Sequence, residues 1–91
     1  MKKFDVIITP KAEKQFRKIP DKDRLRVQNA ILKLAESPYP DDCELLKGVA
    51  DFFRIRAGDY HIIYTVSGSE LIVLVVKIGH RRDVYRMLKN L

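Results

Sequence analysis

Arg54, Arg56 and His61 are the residues whose types and spacing first point to chemistry. They lie in Phe52-Phe53-Arg54-Ile55-Arg56-Ala57-Gly58-Asp59-Tyr60-His61-Ile62-Ile63-Tyr64, where two β-rich runs flank Gly58-Asp59. That pair suits a two-residue hairpin turn, because glycine accepts positive φ without a steric penalty. Counting outward sets Ala57 opposite Tyr60, Arg56 opposite His61, Ile55 opposite Ile62 and Arg54 opposite Ile63. Side chains alternate along a strand, so Arg54, Arg56 and His61 share one face, with Phe53, Ile55, Tyr60, Ile62 and Tyr64 on the other. The second face wants a core. The first wants an anion: guanidinium forks match phosphate oxygens and stay charged, and an imidazole exchanges protons near its ordinary pKa of about 6.5.

The elements that position this face follow from the pattern around it. Residues 4–9 read as a short β-branched strand ended by Pro10. Thr9 can cap a helix and Pro10 suits its first position, with Ala12, Phe16 and Ile19 as one apolar stripe before Pro20 stops it. Asp21 is expected to cap a second helix running to about residue 36, with Val27, Ala30, Ile31, Leu34 and Ala35 inward. Residues 37–42 form a loop, and Leu45, Leu46 and Val49 are expected to tuck under the sheet edge. Gly68-Ser69 reads as another two-residue turn, leading to a strand over 70–78 that is apolar on both faces and therefore central. Counting through that turn sets Val76 opposite His61 and Leu74 opposite Ile63. Ile63, Ile72, Leu74, Val76 and Ile78 then share the face of the two arginines, partly covered by the C-terminal segment. Gly79 is expected to break the strand, and 81–91 to form a final helix with Val84, Leu88 and Leu91 on one side.

The order β-α-α-β-β-β-α gives an α+β fold: two N-terminal helices packed on a mostly antiparallel four-stranded sheet, one domain over residues 1–91. Ninety-one residues, 46% hydrophobic and 33% charged, can bury a core without metal or disulfide help. One cysteine, Cys43, fits a reducing cytosol and is expected to sit as an inert side chain near Leu45 and Leu46. Neither the N-terminus nor the run 71–76 suits a signal peptide or a membrane span, so a cytoplasmic, soluble protein is expected. The net charge of +6 points to a polyanionic partner, nucleic acid or an acidic protein. Lys77, Arg81, Arg82, Arg86 and Lys89 crowd the C-terminal end against one acid, Asp83.

Four pieces in order, Leu46-Lys47-Gly48, Phe53 through Tyr60, Ile63-Tyr64 and Gly79-His80-Arg81-Arg82-Asp83-Val84-Tyr85, resemble the RelE/ParE toxins of type II toxin–antitoxin pairs. RelE-like members cleave messenger RNA in the ribosomal A site; ParE-like members poison DNA gyrase. The resemblance implies catalytic roles for Arg56, His61, Arg81 and Tyr85. It implies phosphate contacts from Arg54, Arg56, His80, Arg82 and Lys47. His61 stands where the family carries an arginine. The implied partners are a cognate antitoxin, message in the ribosomal A site, and operator DNA only through the antitoxin complex.

RNA brings its own nucleophile, the 2′-OH beside the scissile phosphate. The protein must align it, neutralise the phosphoryl oxygens and protonate the leaving 5′-oxygen. Arg54, Arg56 and Arg81 suit charge stabilisation, each worth on the order of 10²-fold in rate. His61 and His80 suit proton transfer; Tyr85 suits either proton transfer, if cations lower its pKa, or stacking on a base. No metal or cofactor is required. Plainer readings stand beside these: a solvated strand face for the arginines, a polar cross-strand neighbour for His61, a surface charge for Arg81, and packing beside Leu88 for Tyr85. A gyrase poison and a member that has lost catalysis are the alternative functions.

Overall fold

The computed structural model describes residues 3–46 and 51–89. Lys47, Val49, Leu91 and the side chain of Val84 lie outside the described residues. Strand β1 (Asp5–Ile8) leads into helix α1 (Pro10–Arg17), then α2 (Asp21–Lys33), β2 (Glu44–Leu45), β3 (Phe53–Ala57), β4 (Tyr60–Ser67) and β5 (Ile72–His80). A 3₁₀ turn (Arg81–Asp83) and helix α3 (Val84–Leu88) follow. The sheet has five strands rather than four, in the order β1-β5-β4-β3-β2; β1 runs parallel to β5 and the other pairs are antiparallel.

Thr9 joins strand to helix. Its extended backbone places the side-chain oxygen to accept from the Ala12 N–H at 3.2 Å, while the hydroxyl donates to the Val76 carbonyl at 3.3 Å. Pro10 then opens α1, where its missing N–H costs nothing. Asp21 does not cap α2. Pro20 holds that position and its carbonyl accepts from Asp23 and Arg24, so Asp21 falls inside the first turn and pairs with Arg24. An acid there still complements the helix dipole. Regular helix ends at Lys33, and residues 34–36 continue only as turns.

The two helices cover one face of the sheet. Ala12, Ile19, Val27, Ile31 and Leu34 are buried against Ile55, Ile62, Tyr64, Val73, Val75 and Ile78. Tyr64 is fully buried, donates its hydroxyl to the Pro38 carbonyl at 2.8 Å, and stacks on Phe53 at 5.8 Å. Burial pushes the Tyr64 hydroxyl far above its ordinary pKa, so it stays a donor. Across the sheet, Leu46 and Ile63 are buried beneath Phe52, Val76 and Leu88. Leu88 thus supplies the C-terminal cover expected for that face.

The second hairpin departs from the sequence reading. Ser67 pairs with Ile72, so the loop is residues 68–71 rather than two residues, and Leu71, not Gly68, takes the positive φ of 56°. Glu70 closes the loop by donating its N–H to Ser67 Oγ at 3.3 Å. Farther along, Ile63 pairs with Lys77 while Tyr64 pairs with Val75, leaving Val76 as one extra residue on β5. This bulge reverses the alternation beyond it. Ile78 therefore turns to the helix side, and the longer loop and the bulge together set Lys77 instead of Leu74 opposite Ile63 and Gly79 instead of Val76 opposite His61. Gly79 does not end the strand, which runs to His80.

Residues 44–45 form a short edge strand on β3 instead of tucking beneath the sheet. Alternation explains the result: Leu46 is buried, whereas Leu45 points the other way and is 63% exposed.

Candidate functional site

The β3–β4 turn sets the geometry. Gly58 has φ of +61°, and the pairs Ala57–Tyr60, Arg56–His61, Ile55–Ile62 and Arg54–Ile63 form as expected. His61 lies on the inner strand β4, with Arg56 on β3 to one side and Gly79 on β5 to the other. The row is a cation, an imidazole and a position with no side chain. His61 is 8% exposed, and its Nδ1 is buried without a hydrogen-bond partner among the described residues.

Glu44 completes this face from the edge strand. Paired with Arg54 in the ladder, it accepts a short charge-assisted bond from Arg54 Nη2 through Oε2, and its Oε1 stands 4.0 Å from Arg56 Nη2. One carboxylate thus lies between two guanidiniums. Arg54 is mostly covered, while Arg56 remains exposed. The pattern gave no signal for Glu44, because a two-residue strand has too few positions to display alternation.

Burial, and then the nearby Arg54 and Arg56 charges, hold the His61 pKa below its ordinary value, with Glu44 opposing them. The ring is therefore neutral at physiological pH. A neutral imidazole has one donor and one acceptor nitrogen, so His61 is suited to move a proton and poorly suited to hold phosphate by charge.

The C-terminal residues reach the same end of the sheet by a different route. Tyr60 pairs with His80, which places the end of β5 beside the 58–59 turn. The Arg81 N–H donates to the Asp59 carbonyl at 2.7 Å, and Arg81 Nε stands 3.8 Å from Asp59 Oδ1. Asp59 is thus a turn residue that also anchors Arg81. His80 Nδ1 accepts from the Arg82 backbone N–H and from Arg82 Nε, both at 3.2 Å, and its ring meets Tyr60 edge to face at 5.4 Å. His80 is accordingly a local organiser of the turn. Tyr85 is 83% exposed on α3. The fold brings Arg54, Arg56 and His61 onto one face and ties Arg81 to its turn end. Tyr85 faces solvent, and Lys47 lies outside the described residues.

A two-helix layer on a mixed sheet, with Arg54 and Arg56 beside its central hairpin, makes a small α+β domain. The family model described as the ParE toxin of a type II toxin–antitoxin system, parDE, matches residues 6–85. Toxin RelG of Mycobacterium tuberculosis is 26% identical over 84 residues, spanning 91% of this chain and 97% of its own. The solved archaeal RelE–RelB complex from Pyrococcus horikoshii contains a chain with TM-score 0.76 and 27% identity, covering 89% of this chain and 97% of that one. The isolated Escherichia coli RelE toxin has the same fold at TM-score 0.74 and 22% identity, covering 93% and 99%. This chain belongs to the RelE/ParE family and is a toxin of a type II toxin–antitoxin pair.

Proposed function

We propose that the chain cleaves messenger RNA on the ribosome by in-line attack of the 2′-OH on the adjacent phosphate. The observation that carries this reading is the Arg56–His61–Gly79 row, with Arg54 beside it and Arg81 held at its turn end. A phosphate over the row would meet guanidiniums able to neutralise its oxygens as charge develops. Neutral His61 would accept the 2′-OH proton. Protonation of the leaving 5′-oxygen falls to Tyr85 or to water brought by the ribosomal site. In this scheme Glu44 is a positioning residue that fixes the forks of Arg54 and Arg56.

A cognate antitoxin is the partner this reading requires. The support is that structural relatives from P. horikoshii and E. coli were solved as RelE–RelB and RelBE complexes. Gyrase poisoning is the second reading, favoured by the ParE description of the matching family model. Purified protein in a reconstituted translation system separates the two. Message cut only when ribosomes are present, with gyrase supercoiling unaffected, supports the nuclease. Inhibited supercoiling with intact message supports the alternative.

A further inference from the structure

We propose that a cationic cleft between α1 and the end of β5 holds a neighbouring nucleotide of the same single-stranded RNA, outside the step at which Arg56 and His61 act. This builds on the nuclease reading, but it rests on a separate part of the molecule.

The cleft encloses about 500 Å³, within the range of about 300–1,000 Å³ typical of small-ligand sites and roomy enough for one nucleotide. Lys11 and Lys18 from α1, Lys77 from β5 and Arg86 from α3 line it against a single acid, Asp83. Cations from three elements converge there. The half-buried ring of Tyr60, backed by the core side chains of Ile19 and Ile78, supplies an aromatic surface of the kind on which a base rests. That mixture suits a nucleotide better than an acidic peptide, whose carboxylates would leave the aromatic wall unused.

The walls are fixed. Gln15 Oε1 accepts the Ile78 N–H at 2.9 Å, tying α1 to β5 where β1 has ended, and His80 is held between Tyr60 and Arg82. Burial, and then the Lys11 charge, lower the Lys77 pKa. Gly79 and His80 border the cleft, and Gly79 is also the residue opposite His61. A strand crossing the end of β5 would therefore meet both places.

The test is fluorescence anisotropy with a short, end-labelled oligonucleotide carrying 2′-O-methyl groups throughout, which cannot be cut. Lys11, Lys18 and Arg86 are all exposed, so Lys11→Ala/Lys18→Ala/Arg86→Ala should keep the melting temperature of the parent. The triple variant is expected to bind about tenfold more weakly or worse. Its plot of log K against log salt should be shallower, by about 0.7 for each phosphate that the cleft no longer neutralises. Parent-like affinity and slope would overturn the proposal. So would a variant that loses affinity for polyglutamate while binding the oligonucleotide normally. The probe reads binding without chemistry, so failure of the cleavage reading would leave this result standing. Conversely, intact message cleavage with unchanged oligonucleotide binding in the variant would remove the cleft alone.

Discussion

His61 faces Gly79 across the β4–β5 ladder, and Arg56 faces it from the other side. The imidazole is flanked by strands, and its partner on β5 carries no side chain. The longer loop and the Val76 bulge together create this arrangement by shifting β5 against β4 before the row.

A pH dependence follows from that enclosure. The folded pKa of His61 lies below the ordinary value, so the unfolded chain takes up its proton first as pH falls. The contribution of His61 to stability is complete above about pH 6.5 and is lost as pH drops through the folded pKa. Thermal melts should show this loss, and His61→Asn should flatten it. By NMR titration, Arg56→Ala should raise the His61 pKa because a lowering charge is removed, and Glu44→Gln should lower it. Shifts of opposite sign would contradict the electrostatics.

Replacing His61 by arginine separates a distinctive histidine from a degenerate one. A third guanidinium beside Arg54 and Arg56, in a site that is 8% exposed, adds a buried like charge. His61→Arg should melt several degrees lower and cleave message more slowly than the parent. Faster cleavage would mean that the histidine is a partial loss of function.

The turn glycine should resist substitution for a backbone reason. Gly58→Ala must hold φ near +61°, which costs about 1–2 kcal/mol for a residue with a Cβ. The added Cβ would also lie 2.5 Å from Arg26 Nη1, but that contact is the tip of a flexible side chain. Adding Arg26→Ala should therefore recover little of the loss in urea unfolding. Full recovery would assign the cost to the clash.

Tyr64→Phe keeps the stack on Phe53 and removes the hydroxyl, with its bond to Pro38 and its interaction with Cys43. A loss of about 1 kcal/mol is expected, which lowers Tm by about 4–8 °C in a domain of this size. No change in Tm would show that the 37–40 loop is held by other contacts.

The first hairpin was legible because a two-residue glycine turn fixes register by counting alone, and every expected pair from Ala57–Tyr60 to Arg54–Ile63 forms. The helices were legible because proline and threonine mark their limits and the apolar stripes have one period. The β4–β5 register was not. Its turn signal at Gly68 was real, but Ser67 and Leu71 close a longer loop, and nothing in an unbroken apolar run marks Val76 as the extra residue. The longer loop and the bulge together exchanged Val76 for Gly79 beside His61. Glu44 escaped for a similar reason, since its place between Arg54 and Arg56 comes from a pairing 10 residues distant in sequence.

The arginines around the row can be tested directly by one assay. Arg56→Ala/Arg81→Ala should be compared with the parent by primer extension on ribosome-bound message. Both side chains are exposed, so the fold should survive the change. Cleavage should fall by roughly 10⁴-fold if each donor contributes on the order of 10². Message cut at the parent rate by a folded double variant would contradict the assignment.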